Sequence, residues 1–163
     1  MAGQLHAITT GFWEVVPCDV IRSFFTATEL ELVLAGMPDI DVDDWEDHCT
    51  YWGYPDRVNS DHPMVVWWWE IVRSMAPAEQ ALLLQFCTGT SRVPVRGFAA
   101  LEASAGELSK FQVRLVNLDF DGQLPKAHTC FNRIDLPRHT SKMDLERAIR
   151  VALAVASTGF SDE

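Results

Sequence analysis

The spacing of apolar residues changes after Val93, and that change decides the fold class. After Pro63, the residues Val65, Trp68, Trp69 and Val72 recur at the three-and-four spacing of one helix face, with Trp67 on another face and partly exposed. Pro77 opens a second helix that turns Ala81, Leu83 and Leu84 inward and ends near Gly89; Thr88 to Pro94 reads as a loop. Beyond Val93 the spacing falls to two. Phe111, Val113 and Leu115 alternate with Gln112 and Arg114 as in a half-buried strand, and Phe131 to Leu136, closed by Pro137, is a second strand candidate with Phe131 in the core. A helical block followed by strands predicts an α+β domain, its helices packed on a small antiparallel or mixed β-sheet.

Short helical pieces precede this domain. Pro17 can open one that carries Val20, Ile21, Phe24 and Phe25 inward, and Thr28 with Glu31 makes a capping-box pattern before Leu32. Gly36 and Pro38 stop it, a further short helix covers Val42 to Cys49, and Tyr51 to Pro55 reads as a turn or hinge. A boundary there divides the chain into a helical segment, 1–52, and the main unit, 53–163. The last helix begins at Ser141 and Asp144, another capping-box pair. It carries Leu145, Ile149, Ala152, Leu153 and Ala156 on one stripe and stops at Gly159.

With 48% hydrophobic residues in 163, the chain has enough apolar content for a real core. Thirteen basic residues against twenty-three acidic ones give a formal charge of −10, which repels nucleic-acid backbones and anionic membranes. Neither is therefore expected as a partner; a basic protein surface fits better. The acids crowd at Asp39, Asp41, Asp43, Asp44, Glu46 and Asp47, read first as a solvated helix start or loop. Met64 to Trp69, continued by Ile71 and Val72, falls well short of the about 20 residues a membrane span takes.

The cysteines, Cys18, Cys49, Cys87 and Cys130, form no C-x-x-C pair, so no zinc-ribbon or thioredoxin spacing can be drawn. Met1 to Val16 has neither the basic leader nor the apolar run of a secretory signal, so reduced thiols are expected, in the cytoplasm or alternatively the nucleus. Cys87 sits in an apolar helix and reads as buried and inert. Cys130 differs, because His128 stands two positions before it. In an extended segment residues two apart face the same side, which would put the imidazole beside the sulfur and favour the nucleophilic thiolate. A His-x-Cys pair alone is weak, since most free cysteines are packing residues.

The surrounding residues carry more. ALLLQFCTGTSRVPVRGFAAL at 81–101 and LPKAHTCFNRIDLP at 124–137 resemble the carboxy-terminal part of HECT ubiquitin ligases, and the likeness continues upstream through GFWEVVP at 11–17 and ELELVLAGMPDIDVDDW at 29–45. The resemblance implies a fold in which 53–163 is the carboxy-terminal catalytic lobe, 1–52 the end of the amino-terminal lobe, and Tyr51 to Pro55 the hinge. It implies that Cys130 accepts ubiquitin from a ubiquitin-conjugating enzyme as a thioester and passes it to a lysine of a protein substrate. It also implies that the conjugating-enzyme docking region lies outside this chain. Exchange of one thioester for another needs no metal or organic cofactor, so none is expected.

On the same resemblance His128 stabilises the thiolate or positions the incoming carbonyl. Leu124, Thr129 and Asn132 are candidates for holding the ubiquitin tail or the transient oxyanion. For Thr129 and Asn132 a turn that satisfies its own backbone groups is an equal reading. Phe160 stands four residues from the end, where several family members use a phenylalanine for the final step. With Asp162 and Glu163 it forms a tail that could dock near the thiol and attract a lysine ammonium; a disordered tail is the alternative. Two other functions stay open: a non-catalytic ubiquitin-binding or interaction module, and the truncated tail of a larger ligase.

Overall fold

A computed structural model describes residues 40–53, 58–103, 106–117 and 124–159, with isolated positions near the start. The helices expected around Pro17 and Thr28 lie outside the described residues, as do Phe160, Asp162 and Glu163.

Helix α1, Val42–Asp47, starts where the acidic run predicts a helix start. Asp41 caps it, its carboxylate accepting from the Asp43 and Asp44 amides at 3.0 and 3.1 Å, which satisfies amide donors that have no partner within the helix. The chain then enters strand β1, Cys49–Gly53, which pairs in parallel with β2, Phe111–Val116. This corrects the first part of the turn or hinge expected over Tyr51 to Pro55: Tyr51, Trp52 and Gly53 lie opposite Val113, Arg114 and Leu115, while Tyr54 and Pro55 lie outside the described residues. Gly53 suggested a break, but the partner strand supplies the ladder that local propensity does not. The division expected after residue 52 thus cuts through β1.

Helices α2, Pro63–Ser74, and α3, Pro77–Thr88, both open on proline, as read from the sequence. Val65, Trp68, Trp69 and Val72 are fully buried and Trp67 is half-buried. Gly89 ends α3 in the left-handed conformation at φ 78°, its amide bonded to the Gln85 carbonyl at 2.8 Å. Helix α4, Lys142–Gly159, starts as expected at Ser141, whose hydroxyl accepts from the Asp144 amide at 3.2 Å and donates to the Asp144 carboxylate at 2.6 Å. It packs on α2 and α3. Leu145, Ile149 and Ala152 are buried, while Leu153 and Ala156 are half-buried.

The remaining strands are β3, Lys126–His128, and β4, Arg133–Pro137. The order is β1-β2-β4-β3, with β2 and β4 parallel and β3 antiparallel to β4. The sheet is therefore mixed and the domain α+β. Phe111, Val113 and Leu115 bury one face of β2, joined by Ile134 and Leu136 of β4. Trp45 of α1 lies in the same core. It stacks on Phe98 with centroids 5.0 Å apart and meets Trp69 and Phe111 edge-on.

The acidic run is less solvated than its charge suggests. Asp44 accepts from the Phe98 amide at 2.8 Å, and Arg73 bridges Asp43 and Glu46. Gly97 precedes Phe98 at φ 75°, and a Cβ there would stand 2.5 Å from the Asp44 carboxylate. Glycine supplies both the backbone conformation and the space.

Candidate functional site

Strands β3 and β4 form a hairpin, and Thr129 to Asn132 connect them. Thr129–Phe131 make one turn of 3₁₀ helix, which puts the exposed Cys130 at the hairpin tip. Asn132 reverses the chain at φ 49° and ψ 46°. Among the described residues it is the single non-glycine at positive φ. Asn132 is fully buried, and its Nδ2 donates to the carbonyls of Glu102 and Ser109, each at 3.0 Å. Its own carbonyl accepts from the Gln112 amide at 2.9 Å. The turn that carries the thiol is thereby tied to β2 and to the 102–109 loop.

The Asn132 side chain thus donates to carbonyls distant in sequence rather than to backbone groups of its own turn. Its buried amide holds protein carbonyls, so it does not present its donors to a ubiquitin tail. Phe131, expected in the core at the start of a strand, is instead 58% exposed, because the strand begins two residues later at Arg133. Arg133 lies over its ring at 5.8 Å.

His128 closes β3, and the chain leaves the extended conformation at the next residue. The same-side rule used to place the imidazole beside the thiol therefore does not extend to Cys130. Its Nε2 contacts the Asp135 carboxylate at 3.1 Å. Asp135 also faces Arg133 Nε at 3.1 Å and Arg114 at 3.9 Å.

Thr129 is half-buried and lines a cavity of about 150 Å³ between α3 and α4, with Leu82, Phe86, Gly89, Leu153 and Ala156. Leu124 lines a different groove, beside Arg138, Arg147 and Val151. The structure thus brings Thr129 and Cys130 into one turn, held by Asn132, and sets Leu124 apart from it.

The described cysteines are distinguished by exposure. Cys87 is buried and burial pushes its thiol pKa up, which fits the inert reading; half-buried Cys49 is pushed up to about 12 by burial. Cys130 alone among them is exposed. Among the described residues no three His, Cys, Asp or Glu side chains gather into a metal-binding group, and no helix is long and apolar enough to cross a membrane.

Residues 1–162 match the family model described as HECT-domain (ubiquitin-transferase). The chain belongs to the HECT family. Over 157 residues, 96% of its length, this HECT chain is 43% identical to E3 ubiquitin-protein ligase HUWE1 of Mus musculus. It is 40% identical over 157 residues to E3 ubiquitin-protein ligase ptr1 and 39% identical over 160 residues to E3 ubiquitin-protein ligase pub1, both of Schizosaccharomyces pombe. It spans 3%, 5% and 20% of the length of these three relatives. Within the HECT chain, the LPKAHTCFNRIDLP stretch forms the hairpin, its tip and the buried asparagine.

Sequence reasoning missed Asp135 and the clamping role of Asn132. The available signals were an asparagine directly after a short turn, where a left-handed residue is needed, and a carboxylate on the strand that pairs with His128.

Proposed function

We propose that this HECT chain is a ubiquitin transferase unit: Cys130 accepts ubiquitin from a ubiquitin-conjugating enzyme as a thioester and passes it to a lysine of a protein substrate. The observation that carries the reading is the exposure of Cys130 at a hairpin tip in a chain matched by the HECT family over nearly its whole length. The Cys130 thiolate attacks the thioester carbonyl of the charged conjugating enzyme. A new C–S bond forms, the old one breaks, and the enzyme sulfur leaves as a thiolate that takes up the proton Cys130 released on ionising. Because one thioester replaces another, no cofactor or external energy source enters the step. A lysine amine then attacks the same carbonyl and Cys130 leaves. A tip thiol suits both attacks, since each partner must approach the sulfur from solvent. The chemistry requires a reduced thiol, which the cytoplasm and nucleus maintain.

Single-turnover transfer tests this reading. The chain is mixed with charged conjugating enzyme, alone and with a supplied amino-terminal lobe, and the ubiquitin label is followed first to the chain and then to a lysine acceptor. Transfer that disappears in Cys130→Ala supports the proposal. Ubiquitin binding without transfer, unaffected by Cys130→Ser, would make the chain a binding module instead.

A further inference from the structure

We propose that Asp135 is a positioning residue for the transfer step: it holds the His128 ring with the proton on Nε2, leaving Nδ1 as the ring's proton acceptor. This rests on the reading of Cys130 as the ubiquitin acceptor. The geometry begins with strand register. His128 lies opposite Arg133 in the antiparallel hairpin, so Asp135, two residues further along β4, is its diagonal neighbour on the same face. Oδ2 of Asp135 is 3.1 Å from Nε2 of His128. A carboxylate only accepts, so in the neutral ring the proton sits on Nε2 and the lone pair on Nδ1.

Cations surround the carboxylate. Arg133 stands 3.1 Å from Oδ1 and Arg114 3.9 Å from Oδ2; Lys126 is the directly opposite residue on β3. Asp135 is only 15% exposed where His128 is 38% exposed, and its neighbours Ile134 and Leu136 are fixed in the core. A half-sunk acceptor thus meets one nitrogen of a more exposed ring, and that ring belongs to the residue leading directly into the Cys130 turn.

The role in transfer rests on His128 directly preceding the turn that carries Cys130. When a lysine Nζ attacks the ubiquitin thioester, a C–N bond forms and the amine must shed a proton. Nδ1 of His128 takes that proton, the C–S bond breaks, and the proton passes to the departing Cys130 sulfur, restoring the thiol and the neutral ring. Asp135 touches none of the reacting atoms and acts through His128.

Two measurements test this on the full chain. Long-range ¹H–¹⁵N NMR of the His128 ring should show the Nε2–H form, and Asp135→Asn should shift the ring toward a tautomer mixture. A wild-type ring protonated on Nδ1 would overturn the proposal. In single turnover, Asp135→Asn should load ubiquitin to within about twofold of wild type but discharge it to free lysine roughly tenfold more slowly or worse, with Asp135→Glu restoring part of the rate. In a His128→Ala background Asp135→Asn should cost nothing further. An unchanged discharge rate, or a full loss persisting without His128, contradicts the positioning role. If the unaltered chain forms no thioester even with an amino-terminal lobe supplied, the reading of Cys130 fails and takes the transfer role with it; the NMR result then still decides whether Asp135 sets the ring.

Discussion

The Nδ2 of Asn132 donates to the Ser109 carbonyl at 3.0 Å, which joins the residue that closes the thiol turn to the segment leading into β2. A second bond from the same amide reaches Glu102. Asn132→Ala removes both buried donors and places alanine at φ 49°, so it should destabilise the chain by about 2–4 kcal/mol. Asn132→Gly keeps the backbone freedom and should be about 1 kcal/mol less harmful. Urea unfolding of the two variants checks the order. Equal losses would mean that the left-handed conformation carries no cost.

Gly97 supports the other end of the core. A methyl group there would meet the Asp44 carboxylate that holds the Phe98 amide. Gly97→Ala should therefore cost about 1–3 kcal/mol in urea unfolding, and the cost should shrink in an Asp44→Ala background, because the two changes disturb the same contact.

Trp45 tests whether the residues before 53 fold with the rest. It is fully buried against Phe98, Trp69 and Phe111. Trp45→Ala should lower stability by about 3–5 kcal/mol in one cooperative transition. A second, separate transition would show that α1 and β1 belong to a different unit.

Cys49 makes stability depend on pH in the alkaline range. Its thiol titrates near 9.0 when exposed and is pushed up to about 12 by burial in the folded chain. Between those values the unfolded chain binds fewer protons than the folded one. Its contribution to stability is therefore complete below pH 9 and is lost as pH rises toward 12. Urea midpoints at about pH 8 and about pH 10 should fall further apart for wild type than for Cys49→Ala.

Much of this fold was legible because it rests on local rules. The prolines before α2 and α3, the alternation of Phe111, Val113 and Leu115, and the Ser141–Asp144 pair each announced an element that the structure contains. What escaped depends on partners distant in sequence. Tyr51 to Gly53 read as a turn because strand β2, which pairs with them, starts at Phe111. Phe131 read as core because alternation does not show that the chain first makes a 3₁₀ turn. At the site, Cys130 stood out through its motif. The role of Asn132 did not, since it depends on carbonyls of Glu102 and Ser109 that only the folded loop brings near.

The central claim concerns one sulfur. Incubation with charged conjugating enzyme and a supplied amino-terminal lobe, followed by intact-mass and peptide analysis without reductant, should show one ubiquitin added to the peptide containing Cys130, released by thiol and absent in Cys130→Ala. An adduct of the same yield on Cys130→Ala, or one that resists thiol on the unaltered chain, would contradict it.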